Sequence, residues 1–316
     1  MKKVFIDGSA GTTGLRIRER LAGMDGLEVV VLPEELRKDP SARRDALNAA
    51  DVAFLCLPDA AARESVAMVE SPSVVVIDTS TAHRTSDGWE YGFPELEGRR
   101  GRIASARRIA NPGCHASGFV ALVEPLVRDG IVSGDAALSA FSLTGYSGGG
   151  KKMIAEYGER GLSDAKSAAD GAGNVDPFLG GRQYALGQAH KHLPEMAKVC
   201  GLVHPPCFSP VVVPHYSGME VTVFLHGADL DAVRDCYRRR YAGNGVVRFA
   251  EDMSEGGFIS SAALSGRDDM LVGAYGSEGR VVLVSCFDNL GKGASGAAIQ
   301  NMNIALGRDE TSGLVV

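Results

Sequence analysis

Cys114 stands directly after Asn111-Pro112-Gly113 and directly before a run with apolar residues at helical spacing. Phe119, Val120, Leu122, Val123, Leu126 and Val127 carry that spacing, and Gly130 ends it. The pattern predicts a helix whose first turn holds the thiol. Unpaired backbone N–H groups and the positive end of the dipole at that place favour a thiolate. Such settings lower a cysteine pKa from about 8.5 to roughly 3.5–7.5, and the thiolate is the nucleophile. A buried structural cysteine is the alternative reading of the same position.

A cysteine nucleophile needs a proton carrier. His190-Lys191-His192-Leu193-Pro194-Glu195 offers two histidines and a carboxylate. A histidine near its ordinary pKa shuttles protons, and Glu195 could orient the ring. Gly145 to Lys152 combines glycines with Lys151 and Lys152, so Ser147, Gly148 and Lys151 are candidates to hold a phosphate or carboxylate, read here as a loop. Arg84, Arg107 and Arg108 are further anion-binding candidates. Cys200, His204 and Cys207 lack a fourth ligand at zinc-like spacing, so no metal site is expected.

Gly8-Ser9-Ala10-Gly11-Thr12-Thr13-Gly14 follows an apolar strand and opens a helix. Gly8, Gly11 and Gly14 allow a tight turn and close approach to a pyrophosphate, which the helix N-terminus holds. Gly8, Ser9, Gly11, Thr12, Thr13 and Gly14 are therefore cofactor-binding candidates. Leu57 and Pro58, ending the third strand, would line the same crevice. Glu34 and Glu35 come late for an acid on the ribose, and Arg37 and Lys38 follow closely, which favours NADP over NAD. A thiolate beside such a site suggests thioester chemistry with hydride transfer at the acyl carbon.

The elements that must position these groups fall into two textures. Apolar runs at 4–7, 28–32, 52–57 and 74–77 alternate with helical patterns at 13–22, 45–50 and 59–69, which predicts a Rossmann-type, doubly wound parallel sheet. Residues 83–110 hold only short runs among turn residues. Beyond the Cys114 helix, strands are expected at 136–144, 211–214, 219–226, 246–249, 271–275 and 280–287, with one helix at 230–241. That is an α+β catalytic or dimerisation domain with a mostly antiparallel or mixed sheet. Residues 163–181 read as a glycine-rich loop, and 294–306 as a closing helix.

Composition narrows the function. The chain has 316 residues, enough for two domains, and 45% apolar residues, enough for sizeable cores. A net charge of −6 gives no basic excess to neutralise phosphates, so no nucleic-acid partner is expected. No apolar run approaches the roughly 20 residues that span a bilayer, so no membrane partner is expected either. The apolar stretch after Met1-Lys2-Lys3 stops at Asp7, too soon for a signal peptide. Six scattered cysteines without a C-x-x-C pair fit a reduced, cytoplasmic protein.

Taken together, the motifs resemble the shorter type of N-acetyl-γ-glutamyl-phosphate reductase, nearly end to end. The resemblance rests on Ile6-Asp7-Gly8 with Gly11-Thr12-Thr13-Gly14, Asp78-Thr79-Ser80-Thr81-Ala82, Asn111-Pro112-Gly113-Cys114, Gly145 to Lys151, His190 to Glu195, and Asp288-Asn289-Leu290-Gly291-Lys292. One departure is His115, where the family commonly carries tyrosine. The resemblance implies NADPH-dependent reduction of N-acetylglutamyl 5-phosphate to the 5-semialdehyde, a step of arginine biosynthesis. It implies that Cys114 is the nucleophile, His192 the acid/base and His190 a substrate or cofactor contact. It adds Ser80 and Asn289 to the cofactor site, and Asn111 and Glu195 to the substrate site. It further implies a dinucleotide domain of residues 1–113 completed by 288–316, a catalytic domain of 114–287, and a homo-oligomer, dimer or tetramer.

Overall fold

In the computed structural model, which describes residues 1–160, 176–277 and 279–316, the chain divides into Met1–Gly113 with Gly293–Val316, and Cys114–Lys292.

The first unit opens with β1 (Lys2–Asp7), α1 (Thr12–Leu21), β2 (Leu27–Val30), α2 (Pro40–Ala49), β3 (Val52–Leu55), α3 (Asp59–Ala67) and β4 (Val75–Asp78). β5 (Glu90–Tyr91), α4 (Arg99–Ser105) and β6 (Arg108–Ala110) follow. Among the described residues, its strands form one sheet in the order β2-β1-β3-β4-β6-β5, and all of its pairings are parallel. Every residue of β3 and β4 is buried, as continuous apolar strands covered on both faces must be. The α2 helix starts earlier than its apolar spacing suggested. Pro40 occupies its first turn and the Asp39 carboxylate caps it by accepting the Ala42 N–H at 2.7 Å. Strand order reverses at β1, so the crevice falls at the carboxyl ends of β1 and β3.

The second unit begins with α5 (Cys114–Arg128), β7 (Ser139–Gly145), α6 (Gly150–Gly158), β8 (Arg182–Gln183), α7 (Leu193–Cys200) and β9 (Cys207–Val213). It continues through β10 (Met219–His226), α8 (Leu230–Arg240), β11 (Val247–Phe249), β12 (Met270–Ser277) and β13 (Arg280–Phe287). Its sheet runs β11-β12-β13-β10-β7-β9-β8. The β11/β12 and β7/β9 pairs are parallel and the others antiparallel, so the sheet is mixed. α5 is buried along nearly its whole length, including Phe119, Val120, Leu122 and Leu126, and packs on β10 and β13. Gly118 is the contact point, since a Cβ there would lie 2.6 Å from Val221 and 2.7 Å from Ser285 Oγ.

The expected loop from Gly145 to Lys152 is not one. Tyr146–Gly149 forms a 3₁₀ turn that runs into α6. The N–H groups of Gly145, Tyr146 and Ser147 donate to the carbonyls of Gly218, His215 and Tyr216 at 2.9, 2.9 and 3.0 Å. Those carbonyls come from a distant part of the chain, which is why a local reading of the glycines missed the turn. The loop expected over 163–181 lies outside the described residues for 163–175. After it, Pro177–Leu179 makes a 3₁₀ turn and Arg182–Gln183 pairs as β8.

The chain then returns to the first unit. α9 (Gly296–Ala305) places Ala298, Ile299, Met302 and Ile304 in one core with Val4 and Ile6 of β1, Ile17 of α1 and Ile103 of α4. Asn301, fully buried there, donates to the Gly92 carbonyl at 2.9 Å and to Asn111 Oδ1 at 3.1 Å.

Candidate active site

In the second unit, Cys114 is the first residue of α5 and is partly exposed. The thiols of Cys56, Cys236 and Cys286 are pushed up to about 12 by burial, and that of Cys200 well above its usual range for the same reason. None of those four is a thiolate near neutral pH.

The residue after Cys114 joins the nucleophile's helix to the histidine segment. The ring of His115 lies 5.2 Å from that of His190 and 5.6 Å from that of His192, centroid to centroid. His190 and His192 are 4.7 Å apart and nearly perpendicular. His190 Nδ1 accepts the backbone N–H of His192 at 3.1 Å. His192 caps α7, whose second position is Pro194 and whose end is Gly201 at φ +68°. Pro194 is no obstacle there, because the first helical turn needs no N–H from it. Glu195 is fully buried, and its Oε1 lies 3.9 Å from His192 Nε2, an ion-pair distance outside hydrogen-bond reach.

His115 itself is buried and bonded at both ring nitrogens. Nδ1 meets Ser142 Oγ at 2.8 Å and Nε2 meets the Tyr184 hydroxyl at 2.7 Å. Burial, with repulsion from His190 and Lys191, holds its pKa well below 6.5, so the ring is neutral. Tyr184 is pushed upward by burial and by the charge of Cys114, so its hydroxyl stays protonated.

Ser147 and Asn289 are brought together as structure. Asn289 Nδ2 donates to Ser147 Oγ at 3.0 Å, and Asn289 Oδ1 accepts the Gly218 N–H at 2.9 Å. Both residues are buried. Gly148 packs near Thr144 in the same turn, and Lys151 is exposed in the first turn of α6. Asn289 belongs to the second unit and the other cofactor candidates to the first.

In the first unit, a cleft of about 480 Å³ is lined by Gly8, Ser9, Gly11, Leu57 and Pro58, with Arg37, Lys38 and Arg43. The glycines are required sterically. Gly8 sits at φ +86°, where a Cβ would lie 2.3 Å from the Cys56 carbonyl oxygen, and one on Gly14 would lie 2.5 Å from the Gly8 carbonyl oxygen. Thr12, Thr13 and Gly14 form the first turn of α1. This cradle fits a dinucleotide: a glycine turn and helix start for the pyrophosphate, with Arg37 and Lys38 in the lining for a 2′-phosphate. Glu34 pairs with Arg37 and does not line the cleft.

Four candidates are committed to holding the chain. Arg84 donates to the backbone carbonyls of Asn111 at 2.9 Å and Thr79 at 3.0 Å. The Asn111 side chain donates to Ala294 O at 3.0 Å and accepts from Asn301. Ser80 donates to the buried Asp78 carboxylate at 2.9 Å, which also meets His83 Nδ1 at 2.6 Å. Arg108 donates to the carbonyls of Val74 and Arg107 at 3.2 and 2.9 Å.

The buried ion pair between Asp7 and Arg43 was not legible in the sequence. Arg43 Nη2 reaches Asp7 Oδ2 at 3.0 Å and Ser65 Oγ at 2.6 Å, and Ser65 Oγ donates to Asp7 Oδ2 at 2.8 Å. No local spacing relates positions 7, 43 and 65. Tyr184 was missed as well, although it stands six residues before His190.

The fold and its two halves define a class. Residues 33–105 match the semialdehyde dehydrogenase NAD binding domain, and residues 114–289 the semialdehyde dehydrogenase dimerisation domain. Aspartate semialdehyde dehydrogenase II from Vibrio cholerae superposes with a TM-score of 0.71 at 17% identity, over 97% of this chain and 98% of that one. Aspartate semialdehyde dehydrogenase with NADP from Candida albicans gives 0.65 at 16% identity, over 96% and 99%. The chain is thus a two-domain, nicotinamide-nucleotide-binding semialdehyde dehydrogenase.

Within that class, the N-acetyl-gamma-glutamyl-phosphate reductase of Brucella anthropi is 44% identical over 97% of this chain and 99% of its own length. That of Burkholderia ambifaria is 41% identical over 96% of each. The chain belongs to the N-acetyl-gamma-glutamyl-phosphate reductase family.

Proposed function

We propose that this protein reduces N-acetyl-L-glutamyl 5-phosphate to N-acetyl-L-glutamate 5-semialdehyde and phosphate, through a thioester on Cys114. The observation that carries the reading is the partly exposed thiol at the start of α5, whose chain neighbour His115 packs against His190 and His192 at 5.2 and 5.6 Å. His192 takes the thiol proton, leaving a thiolate beside an imidazolium. The sulfur attacks the acyl-phosphate carbonyl, the C–O bond to phosphate breaks, and a thioester forms. Backbone N–H groups in the first turn of α5 stabilise the oxyanion, each worth about 2.7–4 kcal/mol in such sites. NADPH, when bound, supplies the hydride to the thioester carbon. The resulting hemithioacetal alkoxide reforms its C=O as the C–S bond breaks, the sulfur leaves as thiolate, and the aldehyde departs. Imidazolium at His192 holds the thiolate ready for the next turnover.

His190, with Nδ1 occupied by a backbone N–H, offers its Nε2 side to substrate. Lys151 and the turn carrying Ser147 and Gly148 hold an anionic group of the substrate, and Arg84 fixes the Asn111 carbonyl at the head of the Asn111-Pro112-Gly113 run. Residues 1–113 with the C-terminal segment serve as the dinucleotide domain, and Cys114 onward as the catalytic domain. The dimerisation-domain match supports a homo-oligomer, dimer or tetramer, acting in the cytoplasm on a small molecule. Among the described residues no helix is long and apolar enough to cross a membrane.

The reverse reaction tests the reading. NADP reduction by N-acetylglutamate semialdehyde should require phosphate, exceed the rate with NAD, and vanish in Cys114→Ser while NADP still binds. Turnover retained in Cys114→Ser, or equal rates without phosphate, would sink it.

A further inference from the structure

The loop from Tyr184 to His192 is held in a shape that local sequence does not favour. Ala185 and Gln188 sit at φ +53° and +55°, in the left-handed region that non-glycine residues rarely adopt. Such residues persist where the surroundings over-determine them. Four ties do so here. The Gln188 amide pairs with both backbone groups of Phe208, donating at 2.9 Å and accepting at 2.8 Å. His190 Nδ1 accepts the His192 N–H. Tyr184 is fixed at its N–H by the Pro210 carbonyl at 3.1 Å, and at its hydroxyl by His115 Nε2 at 2.7 Å.

The last tie differs from the others. Gln188 and the Tyr184 N–H anchor the loop to β9, whereas the bond to His115 anchors it to the residue beside Cys114. The His115 ring is itself fixed from behind by Ser142 on β7 at 2.8 Å. Resting on the function proposed above, we infer that the hydrogen bond between His115 and Tyr184 sets the distance between the Cys114 thiol and the histidine pair, making His115 and Tyr184 positioning residues for the proton transfer at Cys114. His115, being buried, need not touch substrate.

Tyr184→Phe, His115→Gln, His115→Asn and the double Tyr184→Phe/His115→Asn test this in the full-length enzyme. Gln reaches the position of Nε2 and can keep the bond to Tyr184, whereas Asn reaches only Nδ1 and keeps the bond to Ser142. We expect kcat for phosphate-dependent semialdehyde oxidation to fall about tenfold in Tyr184→Phe and in His115→Asn, with KM for phosphate changed less than twofold. The double variant should be no worse than either single one, and His115→Gln should recover most of the loss. Alkylation of Cys114 by iodoacetamide, read alongside, should slow at least threefold in Tyr184→Phe. Wild-type kcat and alkylation rate in a folded Tyr184→Phe, losses that multiply in the double variant, or His115→Gln no better than His115→Asn would each overturn the inference. A wild type that fails to turn over the semialdehyde would instead remove the functional reading, and the alkylation rates would then decide the positioning role by themselves.

Discussion

His190 Nδ1 accepts the backbone N–H of His192, and this one bond distinguishes two histidines that stand two positions apart in sequence. With Nδ1 accepting, a neutral His190 ring carries its proton on Nε2. His192 gives only its backbone N–H to that bond, and the proposed mechanism assigns its ring the proton transfer. His192→Asn should therefore lower kcat by about 10²–10³, the usual scale of a lost general acid/base. His190→Asn, whose Oδ1 can still accept the same N–H, should raise KM for the semialdehyde about tenfold with a smaller loss of kcat. Steady-state kinetics of the two variants decide between this split and its reverse.

A methyl group on Gly14 would lie 2.5 Å from the Gly8 carbonyl oxygen and 3.0 Å from Ser9 Cα, both backbone atoms. Gly14→Ala must push α1 away from the Gly8–Gly11 turn, the proposed pyrophosphate cradle. NADP affinity should drop at least tenfold, measured by titration calorimetry, while alkylation of Cys114 stays at the wild-type rate. Unchanged affinity would mean that the turn tolerates the shift.

The Asp7–Arg43 pair is buried, with side chains about one-tenth exposed or less. Arg43→Met leaves the Asp7 carboxylate buried with only Ser65 to bond it. A loss of about 3–5 kcal/mol is expected in urea unfolding, the scale of breaking a buried pair from one side. Replacing both members, Asp7→Leu with Arg43→Met, should recover most of it. Equal losses in the single and double variants would contradict this account.

His115 also sets a pH dependence. Burial depresses its pKa well below 6.5, so below that value the unfolded chain binds a proton that the folded chain does not. Stability is therefore full above about pH 6.5 and falls as pH drops, by roughly 1.4 kcal/mol for each unit below it until the folded pKa is reached. His115→Asn should flatten the unfolding free energy between pH 6.5 and 5 relative to wild type, as followed by chemical denaturation at a series of pH values.

The amino-acid sequence by itself determined the order from β1 to β4, because continuous apolar runs and 3.6-residue spacing are local signals, but β5, α4 and β6 lie in residues 83–110, which read only as short runs among turn residues. It determined Cys114 at a helix start and the glycine turn after β1 for the same reason, since backbone geometry there depends on adjacent residues. It placed His190, His192 and Glu195 in one segment, but not their division of labour, which depends on which ring nitrogen meets a backbone N–H. Only the tertiary structure turned Gly145 to Lys152 from a loop into a 3₁₀ turn and a helix, through carbonyls of residues 215–218. Only it gave Arg84 to the Asn111 carbonyl, Asp7 to Arg43 and Tyr184 to His115. Those partners lie 27, 36 and 69 residues apart, and no periodicity records a contact that exists only after the chain has packed.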